Sequence, residues 1–231
     1  MRRKDCIMKK YKLIFFFLIF FKNSIAVNPL DLVKKFIPEN PVILEAGAHV
    51  GKDTERMSRM WPKGEMHAFE PNPKMYKKLK GRVKKRRLKN VSLYDMALSS
   101  KTGFCEFWVS NSYPGSSSLL EREINPGIYE KNFLLVKCIT IDDWVEQNNI
   151  KRIDFMWLDM EGYELFALKS SLNILSTVKV IHIEVNFREY WKNMPMYEEV
   201  KTWIEKQGFI EIWKSHTPRQ KGQANVIFVR E

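Results

Sequence analysis

The sequence predicts an α/β fold with a mainly parallel sheet, helices on both faces and an antiparallel hairpin at the C-terminal end. Three observations carry this expectation. The run Pro41–Glu45 is apolar up to its final acid and is followed by Gly47, the pattern of a strand buried in a parallel sheet. Strand-like and helix-like stretches then alternate along the chain. The last two extended runs, Phe209–Trp213 and Ala224–Val229, are joined by a loop alone, as in a hairpin.

Taken in order, Pro29–Ile37 is expected to be a short helix with Leu30, Val33, Phe36 and Ile37 on one side, ended by Pro38. After the first strand, Lys52–Trp61 reads as a helix closed by Pro62 and Gly64. Glu65–Glu70 is the second strand, stopped by Pro71 and Pro73. Lys74–Lys89 is helix-like, although Gly81 weakens its middle. Val91–Tyr94 is the third strand, Phe104–Val109 alternates as another, and Ser110–Gly127 is a polar loop. Phe133–Ile139 is extended and Ile141–Asn149 helical. Phe155–Leu158 is a strand ending at Asp159, Glu164–Leu175 a helix, and Val178–Val185 an apolar strand. Met196–Gln207 is a helix with Val200, Trp203 and Ile204 inward, and Gly208 sits at its end.

A chain of 231 residues that is 45% hydrophobic fits one domain. Its net charge of +12 is concentrated in two places. Seven basic residues in positions 1–26 face Asp5 alone, and Lys74–Lys89 holds ten basic residues and no acid. Basicity so localised argues against a general nucleic-acid binder. Of the three cysteines, Cys6 lies in the leader, and Cys105 and Cys138 lie on different strands, where they are expected as buried free thiols.

Residues 1–26 combine a basic stretch, the apolar run Leu13–Phe21 and a small-x-small pattern at Ser24 and Ala26. The run is shorter than the roughly 20 residues that span a bilayer. It is expected to be a signal peptide or signal-anchor, with a membrane-surface anchor as the competitor. The expected organisation is therefore a leader at 1–26 and one domain at 27–231. The protein would be membrane-associated through this segment, or exported if the segment is cleaved.

Three motifs carry chemistry. In the first, Val42–Gly51, a strand runs into Gly47 and Gly51, which lets backbone approach a ligand at the carboxyl end of a sheet. Ala46 and His49 break the dinucleotide spacing, and no Gly-Lys-Ser/Thr follows, so a pyrophosphate is not the expected ligand. The Glu45 carboxylate suits a cationic, amino-acid-bearing one. In the second, Glu70 ends the next strand, where an acid can accept hydrogen bonds from a ribose diol. In the third, Leu158–Glu164, Asp159 and Glu161 project from a strand end. They can accept a hydroxyl proton, help to hold Mg2+, or cap the helix that follows.

Glu45–Gly51, Phe69–Pro73, Ala97–Ser99 with Gly103, Thr140–Asp143, Leu158–Glu164 and Ile183–Glu184 occur in the order and spacing of a known family. From Pro41 to Val229 the chain resembles the FkbM-type methyltransferases. The resemblance implies a class I methyltransferase, Rossmann-like fold, S-adenosyl-L-methionine as cofactor, and typically O-methylation of a sugar, lipid or natural-product hydroxyl. Carried onto this chain, Glu45, Gly47 and Gly51 would hold the methionine part and Glu70 the ribose. Asp95 and Ala97 would lie near the adenine. Asp159 and Glu161 would face the transferable methyl group, and no metal ligand is assigned. Glu45 and His49 stand where the family usually has Asp and Asn.

The expected partner is a small-molecule, lipid or glycan acceptor, with an anionic membrane surface as a further candidate for Lys74–Lys89. Tyr76 is the only aromatic residue in that stretch, so nucleic acid is disfavoured. Residues Asn111–Pro114 also do not match an amino-methylation motif. The alternatives are a non-catalytic membrane-surface or glycan-binding module on the same fold, and an RNA methyltransferase. His182, Trp191 and Trp203 are expected to be packing residues.

Overall fold

The computed structural model describes residues 28–110, 115–121, 129–215 and 222–230. Seven strands form the central sheet, in the order β3-β2-β1-β7-β8-β10-β9. They are β1 (Val42–Ala46), β2 (Glu65–Phe69), β3 (Val91–Tyr94), β7 (Phe155–Leu158), β8 (Val180–Asn186), β9 (Phe209–Lys214) and β10 (Gln223–Arg230). β1 pairs in parallel with β2 and β7, and β7 with β8, while β10 is antiparallel to both of its neighbours. The α/β class and the C-terminal hairpin are thus as the sequence predicts. The strand order reverses between β1 and β7, and a doubly wound sheet opens a ligand crevice at such a switch point.

The helices are α1 (Pro29–Val33), α2 (Lys52–Met60), α3 (Pro73–Arg86), α4 (Ile141–Gln147), α5 (Glu164–Leu168) and α6 (Tyr197–Lys206). Strand alternation divides the layers. Leu44, Met156, Leu158, Ile181 and Ile183 join Trp144 of α4, Leu165 of α5 and Val200 and Ile204 of α6 in the main core. On the opposite face Phe155 meets Trp61, just beyond α2, edge-on at 6.1 Å. Trp191 is buried as expected, and Trp203 is partly buried against the main core.

Local chemistry fixes the ends of several elements. Pro73 opens α3, and the Asn72 side chain accepts from the amides of Lys74 and Met75, filling two donors that a helix start leaves open. α5 ends at Leu168, well before the expected Leu175. The Ser170 and Ser171 hydroxyls donate to the carbonyls of Ala167 and Leu168, 2.7 Å in each case, and the chain turns there. α1 likewise ends at Val33, short of the expected Ile37.

β4 (Ala97–Leu98), β5 (Gly103–Ser110) and β6 (Tyr129–Ile139) form a second, three-stranded sheet in the order β4-β6-β5. Ala97, Cys105, Phe107, Val136 and Cys138 make its apolar inner face. The expectation of free thiols is corrected here: Cys105 and Cys138 form a disulfide. They lie on neighbouring antiparallel strands with side chains on the same face, Cys105 opposite Val136 and Cys138 opposite Gly103. Residues on different strands can still be diagonal neighbours, which separation along the chain conceals.

The expected membrane association or export through the N-terminal segment is also corrected. Among the described residues no helix is long and apolar enough to cross a membrane, and the segment itself lies outside them.

Candidate active site

The turn after β1 is built on residues that hold left-handed backbone. Gly47 has φ +83° and Gly51 φ +78°, and His49 adopts φ 50° between them. A side chain at Gly47 would overlap the carbonyl oxygen of Asp159, so glycine alone lets this turn close against the end of β7. The amides of Gly47 and Ala48 donate to the Phe69 carbonyl at 3.1 and 2.9 Å, tying the turn to the end of β2.

Glu70 follows β2 directly and is buried. One carboxylate oxygen accepts the His49 amide and the other the Asn72 amide, each at 2.7 Å. Burial raises its pKa to about 7 in spite of these bonds. Each oxygen keeps acceptor capacity, since a carboxylate offers about four lone-pair sites.

Glu45 lies beneath the turn, not on the cleft wall. It is 1% exposed and accepts the Thr54 hydroxyl at 2.6 Å, and burial raises its pKa to about 8. Gly51 starts α2 and packs over Leu79, also away from the cleft. Asp95 is exposed and acts electrostatically on Tyr76, while the next residues, Met96 to Leu98, line the cleft.

Gly47, Glu70, Ala97, Asp159 and Glu161 all line one cleft at the switch point. Its other walls include His49, Phe107, Ser117, Leu119 and Tyr163. The Ser117–Leu119 stretch is held there by a backbone pair between Trp108 and Ser118 and by the Ser118 hydroxyl, which donates to the Glu161 carbonyl at 2.9 Å.

Asp159 does not cap α5. α5 starts after Tyr163 with no side-chain cap, and the Glu164 carboxylate folds back on the preceding turn, accepting the amides of Met160 at 2.7 Å and Gly162 at 3.3 Å. Glu161 (φ 53°) and Gly162 (φ 97°) are both left-handed, a costly backbone for Glu of the kind that gathers at functional sites. Asp159 is open to solvent through the cleft mouth yet surrounded by dense protein. Burial and then the Asp53 charge raise its pKa to about 6.

Glu184 is a cleft residue that the sequence marked only as part of the family pattern. Leu158 pairs with Ile183, so the next register positions bring Asp159 and Glu184 side by side on one face. Ligand oxygens of Asp159, Glu161 and Glu184 lie within 4.8 Å of one another. Gln223 donates to Glu184 at 3.0 Å, and burial followed by repulsion from Asp159, Glu161 and Glu164 raises the Glu184 pKa to about 10. His182, two residues before, stacks on Trp157 with ring centroids 3.7 Å apart, and burial holds its pKa down at about 3. It is a neutral packing residue.

The donor set fits S-adenosylmethionine. Glu70 has acceptor capacity for a diol, the glycine turn exposes backbone, and the clustered carboxyls crowd negative charge that a sulfonium would offset.

The chain is similar to several methyltransferases. It is 25% identical to the 2-O-methyltransferase NoeI of Sinorhizobium fredii over 166 residues, 66% of each chain. It is 26% identical to the hexuronic acid methyltransferase AglP of Haloferax volcanii over 148 residues, 64% of this chain and 57% of that protein. The chain thus spans just under two thirds of NoeI and little more than half of AglP. Among solved structures it resembles magnesium protoporphyrin IX methyltransferase from Synechocystis PCC 6803 with bound SAH, at TM-score 0.53 and 8% identity. That match covers 88% of this chain and 79% of the other, and it shows a shared fold. The profile of the methyltransferase FkbM domain matches residues 45–211, most of the chain, which therefore belongs to the FkbM methyltransferase family.

Proposed function

We propose that this FkbM-family methyltransferase, whose cofactor is S-adenosylmethionine, methylates a hydroxyl of a sugar or glycan. One observation carries the reading: Glu70, with acceptor capacity left for a ribose, and Asp159, a carboxylate suited to take a proton, line the same cleft. The name of NoeI, a 2-O-methyltransferase, supports an oxygen as the methylated atom, and that of AglP, a hexuronic acid methyltransferase, supports a carbohydrate acceptor.

The bound cofactor supplies an electrophilic methyl group on a sulfonium. Glu70 holds the ribose through the lone pairs that His49 and Asn72 leave available, and the Gly47 turn gives the methionine part backbone contact. Ala97, with Met96 and Leu98, forms the apolar wall for the adenine. Glu45 shapes the turn from below through Thr54, and Gly51 starts α2. Asp95 lies outside the cleft. Asp159 accepts the acceptor's hydroxyl proton as its oxygen attacks, and a pKa near 6 leaves it ionised but still basic at neutral pH. Glu161 orients the acceptor, because its left-handed backbone turns it toward Asp159 and Glu184.

Calorimetry with S-adenosylmethionine tests the cofactor half of this reading. The wild-type chain should bind it, and Glu70→Ala should weaken binding by roughly tenfold or more, the scale of one or two lost charge-assisted hydrogen bonds. Wild-type binding that Glu70→Ala leaves unchanged would remove Glu70 from the ribose site.

A further inference from the structure

α3 presents a basic groove beside the cleft. Val50, Lys78, Gly81, Arg82, Lys85 and Arg86 line it. Gly81 leaves open space between these side chains, since an added side chain there would meet nothing within 4 Å. Lys78, Arg82 and Lys85 recur at helical spacing on one side of α3. Arg82 builds the groove: it donates to the Val50 carbonyl at 2.8 Å and pairs with Glu55 at 3.0 Å. Arg86 also pairs with Glu55, at 3.2 Å. Among the described residues Lys78 and Lys85 have no acidic partner, so they offer unspent charge.

The groove adjoins the cleft through consecutive residues, because Val50 lines the groove and His49 the cleft. The two are also linked electrostatically. Burial lowers the His49 pKa, and the charges of Lys78 and then Lys52 lower it further. By contrast, the floor of the cleft holds Asp159, Glu161 and Glu184. An anion is repelled at the reacting position and attracted a short way outside it.

We propose that the groove between α3 and the Val50 turn binds a carboxylate of the acceptor glycan, borne on another sugar of the same chain as the one whose hydroxyl lies at Asp159. This rests on the reading of the chain as a sugar O-methyltransferase and names the class of its substrate: an acidic, hexuronate-type oligosaccharide. The charge arrangement sets the acceptor's direction, with hydroxyls toward the carboxyls and the anion toward Lys78 and Lys85. A concave groove suits a chain of sugars better than a flat lipid surface. None of its lining residues is aromatic, so it offers no platform for bases.

The test is calorimetry on the full chain with S-adenosylhomocysteine present, titrating a tetrasaccharide of hexuronic acid and its carboxyl-reduced neutral counterpart. The wild type should prefer the acidic form by about tenfold or more, a preference that weakens with added salt. Lys78→Glu/Lys85→Glu should abolish the preference, and Lys78→Gln/Lys85→Gln should reduce it. Lys80→Glu/Lys84→Glu changes the charge equally on the other side of α3 and should keep it. Unchanged S-adenosylhomocysteine affinity shows that each variant is folded. A wild type without the preference, or an equal loss in both charge-reversed pairs, overturns the proposal. So does a wild type that ignores the tetrasaccharide but binds phosphatidylserine vesicles or RNA through Lys78 and Lys85. Failure of the wild type to bind S-adenosylhomocysteine would instead strike the methyltransferase reading, leaving the saccharide titration to report on the groove.

Discussion

A carboxylate removes a hydroxyl proton only while it is ionised, and the Asp159 pKa is raised to about 6 by burial and by Asp53. Turnover should therefore rise with pH through about 6 and level off above it, as read from kcat across a pH series. Asp159→Asn should lower kcat by about 100-fold or more while cofactor affinity changes little, since general bases typically contribute that much. An active Asp159→Asn variant would remove the residue from the mechanism. Glu45 makes a second prediction, this time on stability. Its pKa is raised to about 8 in the folded chain, so the ionised form is the disfavoured one. Stability is full below the ordinary carboxylate pKa and is lost as pH rises through about 8. The ligand-free Tm should fall between pH 6 and pH 9, and Glu45→Gln should flatten that fall. The sequence made Gly47, Glu70 and Asp159 legible as cleft residues because each directly follows a strand, and Glu161 lies two residues beyond Asp159. Glu45, the penultimate residue of β1, faces Thr54 beneath the turn, a side set by strand alternation that the acidic end of an apolar run does not reveal. Glu184 stayed hidden because its importance comes from register with Asp159, which a single chain does not display.

At the scale of elements, the close approach of the β1 turn to β7 makes Gly47→Ala a severe change. It adds a side chain into the Asp159 carbonyl and strains a φ of +83°, so it should cost roughly 2–4 kcal/mol in denaturant unfolding and abolish cofactor binding. Loss of the Cys105–Cys138 bridge acts elsewhere. Cys105→Ala/Cys138→Ala should lower stability by roughly 2–4 kcal/mol, given a separation of 33 residues. Ala97 and Phe107 share the apolar cluster of the bridge and also line the cleft, so cofactor affinity should fall with it. The strands and most helices were readable because proline, glycine and apolar runs punctuate them. α5 was overread because Ser170 and Ser171 compete for the helix carbonyls, a local effect that periodicity misses. β4 is only Ala97–Leu98, too short to give a pattern at all.

For the whole molecule, the strand order places the Gly47 turn, Glu70 and the β7 end at one switch point, although they come from distant parts of the chain. The mainly parallel sheet and its hairpin could be anticipated from the alternation of elements, whereas the second sheet that walls the cleft could not. The most direct measurement is transfer of labelled methyl from S-adenosylmethionine to an acidic oligosaccharide, followed by alkali treatment and recovery of the label. A methyl ether on a sugar hydroxyl survives alkali, whereas a methyl ester on a carboxylate does not. The account predicts alkali-stable label on the carbohydrate, absent with Asp159→Asn. Alkali-labile label, or label found on RNA and not on carbohydrate, would contradict it.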